Sequence, residues 1–253
     1  MSNERLKAKI WNFLKSEGIP LMGIAGVRSL PNVPEAYSPQ TILKEVKSLI
    51  CYGVPIPKGI IYAERDALML YWRYWNVTYR SLDAMTDRLC LMLEGKGHRA
   101  VPVYGCYPMK VFNREFWGVL PLIYWAELAG LGRLSKCGLL VHPKFGMRLS
   151  LGGIVTTTPL TPTEKMKNEV CPPECSDCLD ICPVNAIAKT GKVNHNSCMR
   201  YANANPLMGH LLRDPSTKDK YSFETMNNVI GVDDHSSYAC FECLKACPLN
   251  GVY

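Results

Sequence analysis

Apolar side chains recur at steps of three and four residues in two stretches of the chain. Residues 6–14 follow this spacing and Gly18 comes soon after, so the pattern predicts a first helix that ends there. Residues 66–93 repeat the pattern over a longer span, before Gly95. The aromatic stretch YWRYW at 71–75 falls on the apolar stripe of this helix. We therefore expect its tryptophans to pack in the core rather than to stack on bases or on a macrocycle.

Short apolar runs between and after these helices predict buried strands. The predicted strands are 19–27, 46–54, 100–104, 138–143 and 148–157, with another helix at 121–129. Mixed helices and strands indicate an α/β or α+β layered domain. No run of eighteen apolar residues occurs, and the N-terminal stretch is amphipathic and charged. We therefore expect a cytoplasmic protein without a membrane partner.

The composition changes near residues 156–165, which are rich in Thr and Pro as a linker is. Eight of the twelve cysteines come after residue 170. This change predicts an α/β domain at 1–160 and a cysteine-rich module at 161–253. In the cytoplasm such cysteines bind metal or do redox chemistry more often than they form disulfides. The remaining cysteines are scattered singly, as buried packing thiols are, at Cys51, Cys90, Cys106 and Cys137.

The module contains two cysteine runs that each end in Cys-Pro. Residues 171–183 read CPPECSDCLDICP, and residues 240–248 read CFECLKACP. The bacterial ferredoxin run is C-x-x-C-x-x-C-x-x-x-C-P, whose last cysteine ligates the other of two clusters. We therefore expect two 4Fe–4S clusters. Their predicted ligands are Cys171, Cys175, Cys178 and Cys247 for the first cluster, and Cys198, Cys240, Cys243 and Cys182 for the second.

Two features of the runs keep alternatives open. Paired C-x-x-C also builds zinc sites, although zinc does not require a C-x-x-x-C-P ending twice. In addition, three residues rather than two separate Cys171 from Cys175. Cys171 is therefore the least secure ligand, and a three-iron cluster is the alternative at the first site.

The stretch LAGLGRLSKCGLLVHPKFGMRLSLGGIVTTTPL, residues 128–160, resembles the corrinoid-binding region of epoxyqueuosine reductases and reductive dehalogenases. The residues that match, in order, are Ala129, Gly130, Leu131, Gly132, Lys136, Pro143, Gly146, Leu151, Gly152 and Thr156. Ser135 stands where the motif has its second glycine, and the cysteine of GKVNHNSC matches the split second cluster run. The resemblance implies a nitroreductase-like fold that holds cobalamin beside the nearer cluster, followed by a ferredoxin-like module.

The resemblance also implies a set of corrinoid-binding residues. They are Gly130, Leu131, Gly132, Arg133, Lys136, Gly146, Gly152 and Thr156. Arg133 and Lys136 would pair with the phosphate tail or the amides of the corrinoid, or stay solvated. The glycines by themselves are more typical of helix C-caps than of a cofactor site. Residues 233–238, DDHSSY, are a defective form of the loop that gives a histidine to cobalt, so we expect base-off cobalamin.

Two departures from epoxyqueuosine reductases affect the expected function. Gly118 stands where those enzymes carry a proton-donating Asp, and the sequence stops at Tyr253, before their RNA-holding helical extension. On these grounds we expect no epoxyqueuosine reduction. The net charge of +7 does not choose a partner, and the sequence has no basic run, so nucleic acid is not expected.

The sequence therefore predicts an oxygen-sensitive oxidoreductase in which two clusters pass electrons from a low-potential donor to a base-off corrinoid. Its substrate is unknown and its catalytic residues are unassigned. The alternative is an electron-transfer module that reduces the cobalt of a separate corrinoid protein, or serves another redox protein.

Overall fold

The computed structural model describes residues 2–28, 30, 33–105, 109–112, 115–202 and 240–251. Cys106 and the DDHSSY segment, both singled out from the sequence, lie outside these residues. The helices are α1 (Asn3–Ser16), α2 (Pro39–Ile42), α3 (Lys58–Ile61), α4 (Ala67–Glu94), α5 (Leu122–Leu128), α6 (Asp177–Asp180), α7 (His195–Ala202) and α8 (Glu242–Lys245). Short 3-10 helices lie at Glu35–Tyr37 and Pro248–Asn250.

The strands are β1 (Leu21–Gly26), β2 (Ser48–Pro55), β3 (Ala100–Val103), β4 (Met109–Phe112), β5 (Glu115–Gly118), β6 (Arg133–Leu134), β7 (Leu140–Val141) and β8 (Leu149–Thr156). The five strands predicted from apolar runs are confirmed as β1, β2, β3, β7 and β8. The β4–β5 hairpin was not predicted.

Two of the three predicted helices, α1 and α4, have the end signals that their sequences indicate. The Ser2 hydroxyl accepts a hydrogen bond from the Arg5 N–H and caps α1. The long helix α4 ends at Gly95, and Gly97 then takes a left-handed conformation with φ of 80°. Trp72 and Trp75 of α4 are buried, as the apolar stripe predicts.

Four strands form the central sheet in the order β1-β2-β8-β3, and every pair is antiparallel. Alternation along β2 sends Ile50 and Tyr52 to one face and Leu49 and Cys51 to the other. The first face packs against α1 and α4, and the second packs against α5. The chain is thus a mixed α/β protein, and its antiparallel sheet agrees with the α+β form of the expectation.

A third core joins the long helix to the cysteine-rich region. Trp72 and Trp75 of α4 pack in one buried cluster with Cys178, Phe241 and other residues of the region after 170. The ring of Phe241 stacks on Tyr71, with centroids 4.9 Å apart. The boundary predicted near residue 160 therefore does not separate two independent cores.

The Thr- and Pro-rich segment that leads into this region follows the sheet closely. The Ser48 hydroxyl donates to Thr158 O at 2.6 Å and accepts from the Leu160 N–H at 2.9 Å. Further along, Ile24 and Thr163 exchange two hydrogen bonds. These buried backbone groups find partners in strands, so the segment is fixed to the sheet rather than a free tether.

Among the described residues, no helix combines the length and apolar character that crossing a bilayer requires.

Candidate functional site

Four thiols from the two cysteine runs surround one cavity. Cys171 and Cys175 reach it from a loop, Cys178 from α6, and Cys247 from the end of α8. The cavity is partly open to solvent and is also lined by Lys136, Met147, Pro172, Asp177, Pro248 and Leu249. These four cysteines are the set that the sequence predicts for the first cluster.

The other four thiols of the module lie near one another. Burial, and then the charges of Cys240 and Cys182, raise the pKa of Cys198 on α7 to about 11. Cys243 in turn lies close enough for the charges of Cys198 and Cys240 to act on it. Close packing of thiols raises their pKa because each thiolate disfavours the next. The structure thus brings Cys182, Cys198, Cys240 and Cys243 into one group.

Cys137 lies between the two groups. Its thiol interacts with the thiols of Cys178 and Cys243, one residue from each group, which lower its pKa. It also lies 3.2 Å from the Ser135 hydroxyl and 3.7 Å from the Met147 sulfur. The sequence treated Cys137 as an isolated packing thiol, and its separation of more than thirty residues from the first run hid this position.

The donor set favours clusters over a single metal ion. Among the residues described, no three Cys, His, Asp or Glu side chains converge tightly enough to hold one ion. Zinc is bound by four ligands that meet at one point, with Zn–S distances of about 2.3 Å. A cubane places its four thiolates around a larger body, as the four thiols around the cavity do.

The two cations of the corrinoid motif make their contacts within the protein. Lys136 Nζ lies within 3.0 Å of three carbonyl oxygens, those of Pro172, Pro173 and Cys175. Arg133 pairs with Glu127 at 3.5 Å and also with Glu169. Both cations therefore have partners within the protein.

The motif glycines allow segments of the chain to approach one another closely. An added Cβ would lie 2.5 Å from Glu164 O at Gly130 and 2.3 Å from Val141 O at Gly132. At Gly146 it would meet Asn250, and at Gly152 it would meet the ring of Tyr52, both at 2.5 Å. Gly130 and Gly146 also have positive φ, of 76° and 60°. Packing accounts for these glycines, since protein atoms occupy the space beside them.

The last two residues of the motif set are also used internally. Leu131 is buried in the core under α5. The hydroxyl of Thr156 donates to Arg99 O at 2.9 Å and accepts from the Thr158 N–H.

Sequence reasoning missed a set of buried polar groups that faces the sheet from α4. Trp72 and Asn76 lie one turn apart on α4, Arg148 and Ser150 lie on the same face at the start of β8, and the two elements pack together. In the part of the chain that the structure describes, Trp72 Nε1, Asn76 Nδ2, Arg148 Nε and Ser150 Oγ have no hydrogen-bond partner. Each unsatisfied buried group costs about 1–3 kcal/mol, so such groups usually meet a ligand or an ordered water. The spacing of four residues in the helical pair and of two residues in the strand pair could have revealed these donors. That signal becomes visible only once α4 is packed against β8.

No profile of a known protein family matches the chain. An epoxyqueuosine reductase of Staphylococcus aureus is 27% identical over 218 residues, which are 84% of this chain and 50% of that protein. A solved epoxyqueuosine reductase with a tRNA-Tyr epoxyqueuosine-modified stem loop superposes with a TM-score of 0.63 and 20% identity, over 98% of this chain and 66% of that one. A reductive dehalogenase whose structure suggests a mechanism for B12-dependent dehalogenation superposes with a TM-score of 0.58 and 17% identity. The match covers 96% of this chain and 32% of that one.

The chain has the fold of epoxyqueuosine reductases and reductive dehalogenases. The resemblance found in residues 128–160 and in the cysteine runs is therefore confirmed. The chain spans about half the length of the S. aureus relative.

The comparisons correct three expectations. The expected absence of epoxyqueuosine reductase activity is wrong, because relatives of that name match most of the chain. That expectation rested on Gly118 and on the point where the sequence stops. The end of the given sequence supports no conclusion about activity. The electron-transfer function for an unknown substrate, or for a separate corrinoid protein, is overturned by the same matches.

The expected absence of nucleic acid is also wrong, because a protein of the same fold is solved with a tRNA stem loop. Proteins recognise RNA through shape, backbone and unstacked bases, with side chains that a folded surface gathers from separate segments. A missing basic run in the sequence therefore excludes nothing.

Proposed function

We propose that this chain is the reductive core of an epoxyqueuosine reductase and acts on epoxyqueuosine in tRNA. The observation that carries the proposal is the grouping of eight module thiols into two sets of four, in a chain with this fold and these relatives. The net charge of +7 suits a polyanionic substrate.

In this proposal the module at 161–253 is ferredoxin-like and holds two 4Fe–4S clusters. Thiolates ligate iron, and the four thiols of the first set line one cavity, as the ligands of one cluster would. Each distal cysteine, Cys182 or Cys247, groups with thiols of the other run. This exchange is the pattern of two-cluster ferredoxins, and it makes the pair a relay for single electrons.

The proposal includes base-off cobalamin as the second cofactor. A reductive dehalogenase of the same fold is described as B12-dependent. The periphery of a corrin carries amide carbonyls, which fit the four partnerless donors of Trp72, Asn76, Arg148 and Ser150. Cobalamin would supply the low-potential cobalt that accepts electrons from the clusters and reduces the substrate.

The residues of the chain would then bind and orient rather than react. The buried donors of α4 and β8 would hold the corrin amides, and the cores around them would exclude water. The motif glycines would shape the backbone beside this site by close packing, and Arg133 would fix α5 through Glu127. The proton for the opened epoxide must come from a group other than residue 118, because glycine offers none.

The proposal is tested with anaerobically reconstituted protein, a low-potential reductant, cobalamin and a tRNA stem loop that contains epoxyqueuosine. Mass spectrometry of the nucleosides should show conversion to queuosine. Cys243→Ser should abolish conversion, since it removes one ligand of the second cluster, whereas Cys51→Ala should retain it. If protein loaded with iron and cobalamin gives no conversion, the proposed substrate is wrong.

The proposed cobalamin site is tested separately, by binding measurements. Asn76→Ala and Ser150→Ala should each weaken cobalamin binding by about tenfold, which corresponds to one lost hydrogen bond. Matched replacements at Asn194 and Ser197, polar residues far along the chain, should leave the affinity unchanged. Equal affinity for all four variants would mean that the unpaired donors hold water instead.

A further inference from the structure

The first cysteine loop has one more residue than a C-x-x-C turn, and the structure shows how this residue is accommodated. The Cys175 N–H donates to Pro172 O at 3.1 Å and closes a β-turn with Pro173 and Glu174 at its centre. Proline suits the second position of such a turn because its φ is fixed near −65°. The extra residue is thus absorbed by the turn, and Cys171 and Cys175 on either side both line the cavity.

The carbonyls of this turn converge on one ammonium group. Lys136 Nζ lies 3.0 Å from Pro172 O, 2.6 Å from Pro173 O and 2.8 Å from Cys175 O. A lysine ammonium has three protons, so each has an acceptor. Lys136 itself follows β6 and is attached to the sheet-bearing part of the chain, where the neighbouring Ser135 binds Leu139 O at 2.8 Å. The contact therefore fixes a surface loop to a rigid element.

Electrostatics explains why this loop needs a cation. The three carbonyl oxygens carry partial negative charge and point toward a common point. Pro172, Pro173 and Glu174 are exposed, so apolar packing does little to hold the turn. A thiolate-ligated cluster beside the loop would add further negative charge. An ammonium at the shared point turns this repulsion into three charge-assisted hydrogen bonds.

We propose that Lys136 is a positioning residue for the first cluster: it holds the widened loop so that Cys171 and Cys175 ligate the same cluster. The inference rests on the proposed function, because it requires that cluster, and it gives Lys136 a role other than binding a corrinoid. Without the ammonium the turn opens, Cys171 leaves the cavity, and the iron that it ligates is lost. The first cluster then holds three irons.

The experiment compares iron content and EPR spectra of anaerobically reconstituted variants. Lys136→Met should bind about seven irons where the unmodified chain binds about eight. Loss of Fe²⁺ from a [4Fe–4S]²⁺ cluster leaves [3Fe–4S]⁰. Ferricyanide accepts one electron from it to give [3Fe–4S]⁺, whose signal lies near g of about 2.01 and is absent from intact cubanes. Lys144→Met, an exposed lysine in the same region, is the control and should keep all the irons.

Two further variants separate positioning from general stability. Lys136→Arg keeps the charge and donors and should retain the fourth iron at least in part. Deletion of Glu174 in the Lys136→Met background restores C-x-x-C spacing, which needs no clamp, and should recover the full iron content. If both the single variant and this double variant fail to fold, Lys136 serves the fold and not the loop, and the inference is wrong.

The outcomes distinguish this inference from the proposed function. A Lys136→Met protein that binds as much iron as the unmodified chain and shows no three-iron signal overturns the role of Lys136 alone. An unmodified chain that binds no iron overturns the clusters, and the role of Lys136 with them.

Discussion

Lys165 Nζ lies 2.8 Å from Glu127 Oε2, so the segment leading to the cysteine-rich region is tied to α5. Glu127 also accepts the Leu134 N–H at 3.0 Å and lies 3.5 Å from the guanidinium of Arg133. Burial raises the pKa of Glu127, but the hydrogen bonds from Lys165 and Leu134 and the two cations outweigh it and lower the pKa overall. One carboxylate therefore joins three parts of the chain.

Glu127→Gln should destabilise the protein by about 1–2 kcal/mol at neutral pH, because two half-buried cations lose their shared charge partner. A group with a lowered folded pKa stabilises above its unfolded pKa and loses that effect as the pH falls. The difference between the two proteins should thus shrink below pH 4.5, the ordinary value for Glu. Urea unfolding at pH 7 and pH 4 measures this difference in the free energy of unfolding. Glu164→Gln, in an exposed pair with Lys167, should change stability by less than about 0.5 kcal/mol.

Asp83 on α4 should make stability decrease with rising pH. Burial, and then the charge of Asp87, raises the pKa of Asp83 from 3.8 to about 6. The folded state therefore keeps a proton that the unfolded state has released, and the stability falls as the pH rises from about 4 to 6. Asp83→Asn should remove this decline and stabilise the protein above pH 6 by about 1 kcal/mol, after allowance for partial exposure.

Unfolding curves at pH 4.5, 5.5 and 6.5 would show the change in slope. Glu45→Gln removes an exposed carboxylate paired with Arg99 and should leave the slope unchanged. Equal slopes in both variants would place the raised pKa elsewhere.

Replacement of single cysteines should separate ligands from packing thiols. Cys198→Ser should lower the iron content by about one to four of about eight irons, because it removes one proposed ligand of the second cluster and leaves the first cluster intact. Cys51→Ala and Cys90→Ala should retain iron, since burial raises the pKa of both thiols and keeps them neutral. A zinc content of one per chain with little iron would overturn the cluster assignment.

Cys137→Ala should also retain the irons but lower the reduction potential of a cluster. Its thiol interacts with those of Cys178 and Cys243, and hydrogen bonds from a thiol to cluster sulfurs would stabilise the reduced, more negative state. EPR-monitored redox titration measures the potential. A potential identical to that of the unmodified chain would make Cys137 a packing residue, as its isolated place in the sequence suggests.

Gly118 offers a test of the missing proton donor. An added Cβ at this position would lie 3.2 Å from Leu120 O, a contact that a small local shift relieves. A positioned acid typically contributes about two to four orders of magnitude in rate. Gly118→Asp should therefore speed epoxyqueuosine conversion by at least about tenfold, measured in single turnover, whereas Gly118→Ala should not. Equal rates for the two variants would show that the group that already supplies the proton does not limit the reaction, and that an acid at position 118 adds nothing to it.

The sequence by itself determined most of the helices and strands, and it predicted which thiols group together. Helical spacing over 66–93 predicts α4 within one residue at each end, because a long periodic stripe has one way to bury its apolar face. The spacing of the cysteine runs likewise predicts both sets of four thiols. Each short run fixes its own turn, and the Cys-Pro ending sends the last thiol to the partner set.

Only the tertiary structure decided the roles of residues that act across the chain. Lys136 binds a loop more than thirty residues away, Cys137 lies between two thiol groups, and Gly130 and Gly132 admit neighbouring backbone. Trp72 and Ser150 carry buried donors on two elements, α4 and β8, that meet only in the folded chain. Local patterns record what a residue does to its own helix, strand or turn. Contacts between distant segments depend on how those elements pack, which no short stretch of sequence contains.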